Sequence, residues 1–108
     1  MSGEHLGELE QMMLLAILRL GEGAYGRTVR GELEETAGRT VSAGAAYVTL
    51  DRLESKGHVE SWTGEPESGR GGRPKRFYRV TAEGKQALAS ARRALDRLWS
   101  GVDVVEEG

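Results

Sequence analysis

The stretch "GGRPKRFYRVTAEG" (Gly71–Gly84) combines three local signals, which predict a loop, a strand and a helix in succession. Its centre, "RFYRV", is rich in aromatic and β-branched residues and so predicts a β-strand. Thr81 and Glu83 are typical of a helix start, because a threonine hydroxyl caps the helix and an acid favours the positive end of its dipole. The glycines and cations before the strand predict an exposed basic loop.

A partner for this strand lies upstream, at "HVESWT" (His58–Thr63). Between the two lies a Gly-rich and charge-rich segment, so we expect a two-stranded hairpin with a long tip. Trp62 is expected to pack against Phe77 on the outer face of this hairpin.

Three helices are predicted before the hairpin. The first runs from about Gly7 to Leu20 and is apolar nearly all round, which is typical of a helix buried on more than one side. We expect one side to meet the core and the other to meet a second subunit, through Leu14, Leu15 and Leu18. The second helix covers Tyr25–Ala37, and Gly38 is a natural stop.

The third helix begins after Ser42, a good N-cap residue, and runs to about Lys56. Its spacing predicts a core stripe at Ala46, Leu50 and Leu53. The face predicted to oppose this stripe consists of Ala45, Thr49, Arg52 and Lys56. Tyr47 lies at the border of the stripe, where a hydrogen bond at the edge of the core and a contact to a DNA phosphate are equally open.

The last predicted helix starts at Ala82 and carries a coiled-coil seam with apolar residues three and four apart. The seam is short and is interrupted by Gly101, so we expect it to pair two subunits only together with the apolar excess of the first helix. Its members are Leu88, Ala91, Leu95, Leu98, Val102 and Val105. Trp99 adjoins the seam and is expected to pack at the dimer interface. The alternative is that it stacks on a planar ligand.

Charge is distributed unevenly along the chain. Its net charge is −2, yet residues 70–79 contain five bases and no acid. Such a focused patch can attract a polyanion that the net charge would repel. A phosphate-binding loop is disfavoured, because "GRGGRPK" lacks the G-K-[ST] ending and lies inside a hairpin.

Several classes of protein are disfavoured by composition. The chain has no cysteine, and its two histidines, His5 and His58, share no ligand spacing, so we expect no metal and no cofactor. None of the common catalytic motifs occurs, and we expect no enzyme. The longest apolar run, "MMLLAIL", is too short to span a membrane, and no leader is visible, so we expect a cytoplasmic protein.

The predicted order of three helices, a hairpin and a further helix is the layout of a winged helix-turn-helix protein, mainly α with one small β-hairpin. In this layout the third helix enters the major groove of DNA and the hairpin, called the wing, contacts the flanking backbone or minor groove. We expect the winged domain over 1–81, with the wing at about 58–80, and a dimerisation helix and tail over 82–108. The residues expected to contact DNA are Tyr25, Ser42, Ala45, Tyr47, Thr49, Arg52, Lys56, Arg70, Gly72, Arg73, Lys75 and Arg76.

The chain resembles the PadR family of bacterial transcriptional regulators in "LGELEQMMLLAILRLGEGAYG", "SAGAAYVTLDRLESKGHV" and "GGRPKRFYRVTAEG". The resemblance implies a homodimeric repressor on a near-palindromic operator, in some members released by a small aromatic compound. It also implies a phosphate contact by Tyr25, which the sequence alone reads more simply as a packing residue. Ala45 and Ala46 replace the family's usual threonine and leucine, and Asp51 stands where a base is common.

The main alternative of another class is a winged-helix module that binds proteins and not DNA. The acids of the second helix and Asp51 lend it some support. Retention on heparin that is lost at moderate salt would favour DNA, and co-purification with a protein and no DNA shift would favour the alternative.

Overall fold

The structure, a computed structural model, describes residues 5–64 and 74–104. Its helices are α1 (Glu8–Leu20), α2 (Gly26–Ala37), α3 (Ala43–Ser55) and α4 (Ala82–Trp99), and its strands are β1 (Val59–Thr63) and β2 (Arg76–Val80). A short 3-10 turn, Gly21–Gly23, joins α1 to α2. The predicted fold, mainly helical with one antiparallel hairpin, is confirmed.

The core lies between α1, α2, α3 and the inner face of β2. Its largest fully buried side chains are Tyr78, Met13, Leu14, Ile17, Leu50, Leu53 and Val29. Leu14 therefore belongs to the core of its own chain, and the prediction that it contacts a second subunit is wrong. The error arose because α1 is apolar on two sides, and the pattern does not show which side meets α2 and α3.

The two strands pair with Trp62 opposite Phe77. The rings of these two residues stack on each other, with centroids 5.8 Å apart and planes 23° apart, which confirms the predicted contact. Residues 65–73 lie outside the described residues, and with them the predicted DNA contacts Arg70, Gly72 and Arg73.

Strand β2 is also bonded to the chain between α1 and α2. The Tyr78 N–H donates to the Ala24 carbonyl oxygen over 2.9 Å, and Tyr25 pairs with Phe77 in an isolated antiparallel bridge. The rings of Tyr25 and Phe77 meet edge to face, 5.4 Å apart. The interpretation of Tyr25 as a packing residue at this junction is therefore confirmed.

The start of α4 is fastened to the turn that follows α3. The Thr81 N–H donates to the His58 carbonyl oxygen over 3.0 Å, and the Thr81 hydroxyl donates to the Gly57 carbonyl oxygen over 2.6 Å. The same hydroxyl accepts a hydrogen bond from the Gly84 N–H, which confirms Thr81 as the helix cap. Gly84 is buried so closely against the His58 carbonyl that a Cβ there would overlap the oxygen.

Helix α4 ends at Trp99, short of the predicted extent of the seam. Gly101 has a φ of 80°, which is left-handed backbone that other residues rarely adopt. The prediction that Val102 continues the helical seam is therefore wrong, although its side chain is still half exposed near Trp99. Val105 lies outside the described residues.

We predict that Gly84→Ala lowers the free energy of unfolding by about 1–3 kcal/mol, because the added methyl must displace backbone in a packed site. Gly31→Ala is the matched control, since Gly31 lies inside α2 with open space where its Cβ would be. That change should raise stability by up to about 1 kcal/mol through helix propensity. Urea unfolding followed by circular dichroism measures both, and equal stability of the two variants would contradict the close packing of Gly84.

Candidate nucleic-acid interface

The N-terminus of α3 is capped and carries only small side chains. The Ser42 hydroxyl accepts a hydrogen bond from the Ala45 N–H over 3.1 Å. Ala43, Gly44 and Ala45 follow, all exposed. The backbone of this first turn is thus open to close approach by a large partner, and its remaining N–H groups favour an anion.

The exposed face of α3 differs by one position from the predicted one. Thr49 is only 5% exposed, and its hydroxyl donates to the Ala45 carbonyl oxygen over 2.8 Å. The prediction that Thr49 lies on the exposed face and contacts a base is therefore wrong. Val48 is instead 57% exposed, and Tyr47 is 58% exposed.

The positions of the buried residues of α3 are sufficient to predict which face of the helix is exposed. Ala46, Leu50 and Leu53 are buried, as predicted. Because each residue turns a helix by about 100°, Thr49 falls beside Leu53 and Ala46, and Val48 falls on the opposite side. Thr49 was predicted to be exposed because it is spaced by four, three and four from Ala45, Arg52 and Lys56. Its hydroxyl is instead satisfied on the preceding turn of its own helix.

Lys56 is engaged inside the protein. Its ammonium donates to the two carboxylate oxygens of Glu10, over 2.9 and 3.1 Å, and to the His5 carbonyl oxygen over 3.0 Å. Burial raises the pKa of Glu10, but hydrogen bonds from the Gly7 N–H and Lys56 outweigh it and hold the pKa below its usual value. The predicted DNA contact of Lys56 is replaced by an ion pair that joins α1 to the end of α3.

A groove of about 580 Å³ lies between the start of α2, residues 43–50 of α3 and the beginning of β2. It brings together four residues predicted to contact DNA, which are Tyr25, Tyr47, Lys75 and Arg76. Its remaining walls are Gly26, Arg27, Arg30, Ala43, Ala46, Leu50, Pro74 and Tyr78. Residues from three separate parts of the chain thus share one concave surface.

Two arginines of this groove were missed by the sequence reasoning. Arg30 donates through Nε to the Val41 carbonyl oxygen over 2.8 Å, so it also ties α2 to the loop before α3. Arg27 is exposed in the first turn of α2, which contains no acid. A cation at this end opposes the helix dipole. This unfavourable position is evident from the sequence and could have marked Arg27 as a candidate functional residue.

The cations at the base of the wing are held by neighbouring groups. Lys75 lies over the Tyr25 ring, with its ammonium 4.8 Å from the ring centroid. Arg76 donates to Glu54 on α3 and to the Ser61 hydroxyl, each over 3.0 Å. These contacts fix the first residues of β2 against both α2 and α3, so the wing starts from a defined position beside the groove.

Tyr78 forms part of the floor of the groove. Its side chain is almost fully buried, and among the described residues its hydroxyl has no hydrogen-bond partner. Burial raises the pKa of Tyr78, and the nearby charge of Arg76 opposes the shift only in part. The hydroxyl therefore stays neutral at physiological pH and adds no charge to the groove.

A second surface, which we call the apolar face, combines the outer side of α1 with the second half of α4. Leu15 and Leu18 are exposed on α1, and Leu95, Leu98 and Trp99 are exposed on α4. Leu88 and Ala91 are partly buried beside them. A groove of about 550 Å³ runs between the two helices, and a smaller hollow of about 250 Å³ lies beside Trp99.

Within residues 5–64 and 74–104, no helix is long and apolar enough to cross a membrane. The same residues contain no cluster of three or more histidine, aspartate or glutamate side chains suited to a metal ion.

The three helices, the hairpin and the groove that they share define a winged helix-turn-helix protein. The family model of the PadR-like transcriptional regulators matches residues 14–90. The chain therefore belongs to the PadR-like family and is a DNA-binding transcriptional regulator.

Solved structures support this assignment. A PadR-family regulator from Eggerthella lenta DSM 2243 shares 30% identity at a TM-score of 0.69, over 88% of this chain and 82% of that one. A PadR-family regulator from Clostridium difficile R20291 shares 26% identity at a TM-score of 0.64, over 84% and 94% of the two chains. A transcriptional regulator from Clostridium thermocellum, at 19% identity and a TM-score of 0.71 over 85% and 86%, shows the same fold. The comparison with curated proteins finds no match.

Proposed function

We propose that the protein is a dimeric repressor that binds a near-palindromic operator through α3 and the wing. The observation that carries this proposal is the shared groove, where Ala43 and Tyr47 of α3, the start of α2 and the base of the wing face the same space. A dimer would present two such surfaces to half-sites about one or two helical turns apart. Occupation of both would exclude other proteins from that side of the duplex.

The start of α2 supports a phosphate contact. Arg27 and the N–H groups of the first turn both favour an anion there, and Arg27 without one opposes the dipole of its own helix. The Tyr25 ring is packed on Phe77, and its edge borders the same groove. A DNA phosphate at this position would offset the unfavourable charge of Arg27.

The wing extends the same cationic surface. Arg70, Gly72 and Arg73 are proposed as backbone or minor-groove contacts from the sequence, because glycines permit close approach and arginines neutralise phosphates. Lys75, one residue before β2, lies over the Tyr25 ring at the start of α2 and lines the groove. Ser42, Ala45, Tyr47 and Arg52 complete the proposed DNA surface on α3, and Arg76 does so at the wing base.

We predict that Arg27→Ala and Arg73→Ala each weaken operator binding and reduce its salt dependence. Log K falls as log salt rises, and each phosphate contact that is lost should make this fall shallower by about 0.9 per subunit. Gel-shift titrations at several salt concentrations measure the slope. Arg93→Ala is the control, because Arg93 is exposed on α4 and lines a different groove.

A slope unchanged by Arg27→Ala would remove the start of α2 from the proposed surface. Absence of any DNA shift at low salt, together with co-purification of a protein partner, would favour a protein-binding module instead.

Dimerisation is proposed from the state of α4. Of its eighteen residues only Gly84 and Ala87 are buried, both in the first two turns. Leu98 is 73% exposed and Trp99 is 55% exposed. A helix of this length is only marginally stable by itself, so its second half needs a partner surface. A second copy would supply it, because the apolar face of α1 and α4 can pack against itself around a twofold axis.

We predict that Leu98→Asp converts a dimer of twice the 11.7 kDa chain mass into a monomer and weakens operator binding. The reason is that an unpaired charge would be buried at the centre of the apolar face. Sedimentation velocity measures the mass. Arg93→Asp is the matched control, because it places the same side chain on the opposite side of α4 and should leave the dimer intact. A wild-type protein that sediments as a monomer would contradict the proposal.

A small aromatic effector is proposed to bind beside Trp99. The indole is half exposed and borders both hollows of the apolar face, so a planar compound could stack on it between two subunits. Such a ligand would change how the two α4 helices pack. The distance between the two α3 helices would change with them, and operator affinity would fall.

We predict that planar aromatic compounds quench the fluorescence of Trp99 and release DNA. Trp62→Phe leaves Trp99 as the sole tryptophan and retains an aromatic ring to stack on Phe77. Quenching in this variant together with dissociation in a gel shift would support the proposal. If a diverse panel gives neither effect, the protein is a repressor without an effector of this class.

A further inference from the structure

The stability of the fold does not explain why α3 has an exposed valine, Val48. It lies on α3 opposite the buried Ala46, Leu50 and Leu53, and its side chain is 57% exposed. A β-branched residue is a weaker helix former than alanine, and an exposed apolar side chain gains nothing from burial. The side chain therefore points to a contact outside the chain.

Val48 is the largest exposed aliphatic side chain of α3, next to the exposed Tyr47. Gly44, one turn earlier on the same side, has open space where a Cβ would be, and Ala43 and Ala45 end at a methyl group. The helix can therefore approach the floor of a groove closely at its first turn. No long polar side chain at residues 43–46 stands between the backbone and the edges of the bases.

Asp51 sets the orientation in which this approach is favourable. It is exposed three residues after Val48 on the same side of α3, and its carboxylate repels phosphates. The cations that attract phosphates, Arg27 and Lys75, line the groove whose α3 wall consists of Ala43, Ala46, Tyr47 and Leu50, all of which precede Asp51. Charge therefore favours insertion of α3 by its N-terminal half, with Val48 facing the bases.

The major groove offers one apolar group for such a side chain, which is the C5-methyl of thymine. We propose that Val48 is a specificity-determining residue that packs against a thymine methyl in each half-site of the operator. This inference rests on the proposed function. It adds that the recognised base is thymine, that Val48 recognises it, and that the contact is apolar packing against the methyl.

The test replaces thymine by deoxyuridine, which has the same hydrogen-bonding groups and lacks only the methyl. The probe is a duplex recovered by selection from random-sequence DNA with the wild-type protein. Thymines are replaced singly, and in symmetry-related pairs, and binding is measured at constant salt. One position in each half-site should weaken wild-type binding by about fourfold per methyl, the factor expected for burying one such group.

The same replacement should have no effect on Val48→Ala, which is already unable to reach the methyl. Circular dichroism should show that this variant folds, because alanine favours a helix more than valine does. Ser55→Ala is the control on the same side of α3, because Ser55 is exposed two turns after Val48, in the last turn of the helix. It should keep the full wild-type sensitivity to the methyl.

The outcomes separate the two proposals. If wild-type protein binds the selected duplex and no thymine is sensitive, Val48 does not read a methyl, and the proposed DNA-binding function still stands. If one thymine is sensitive to the same extent in wild type and Val48→Ala, another residue reads it and the inference is wrong. Failure to select or bind any duplex at low salt would overturn the proposed function itself.

Discussion

The hydrogen bond from the Tyr78 N–H to the Ala24 carbonyl oxygen places the hairpin against the helices, and the rest of the surface depends on it. It joins β2 to the segment that enters α2, and the bridge between Tyr25 and Phe77 extends the pairing by one residue. The Tyr78 side chain is buried and lines the groove together with Ala46 and Leu50 of α3. Together these contacts hold the wing base, the start of α2 and α3 around one groove.

The same strand leads directly into the element that we propose for dimerisation. Thr81 follows β2, caps α4 and bonds to the carbonyl oxygens of Gly57 and His58 in the turn after α3, so these contacts set the direction of α4. In the dimer that we propose, a change in subunit packing would reach the C-terminal end of α3 through these contacts.

Local signals in the sequence were sufficient to predict the helices and strands. The errors arose at side chains whose position depends on long-range contacts. Ser42 and Thr81 as caps, and the pairing of Trp62 with Phe77, follow from nearby residues and are confirmed. Lys56 could not be assigned from the sequence, because its partner Glu10 lies 46 positions earlier. Leu14 and Thr49 were misplaced because apolar and polar character do not by themselves determine which side of a helix meets the core. The exposure of Arg27 and Val48 could have been predicted from the helix dipole and from the spacing of the buried residues, but the groove that Arg27 lines could not.

The central claim is that α3 enters the major groove with its N-terminal half, and DNA cleavage from a tethered iron chelate tests it most directly. The chain has no cysteine, so Ala45→Cys and Ala89→Cys each give a single attachment site, on exposed parts of α3 and α4 respectively. We expect strong cuts within both half-sites from position 45 and none from position 89. Cuts from position 89 alone, or equal cutting from both, would contradict it.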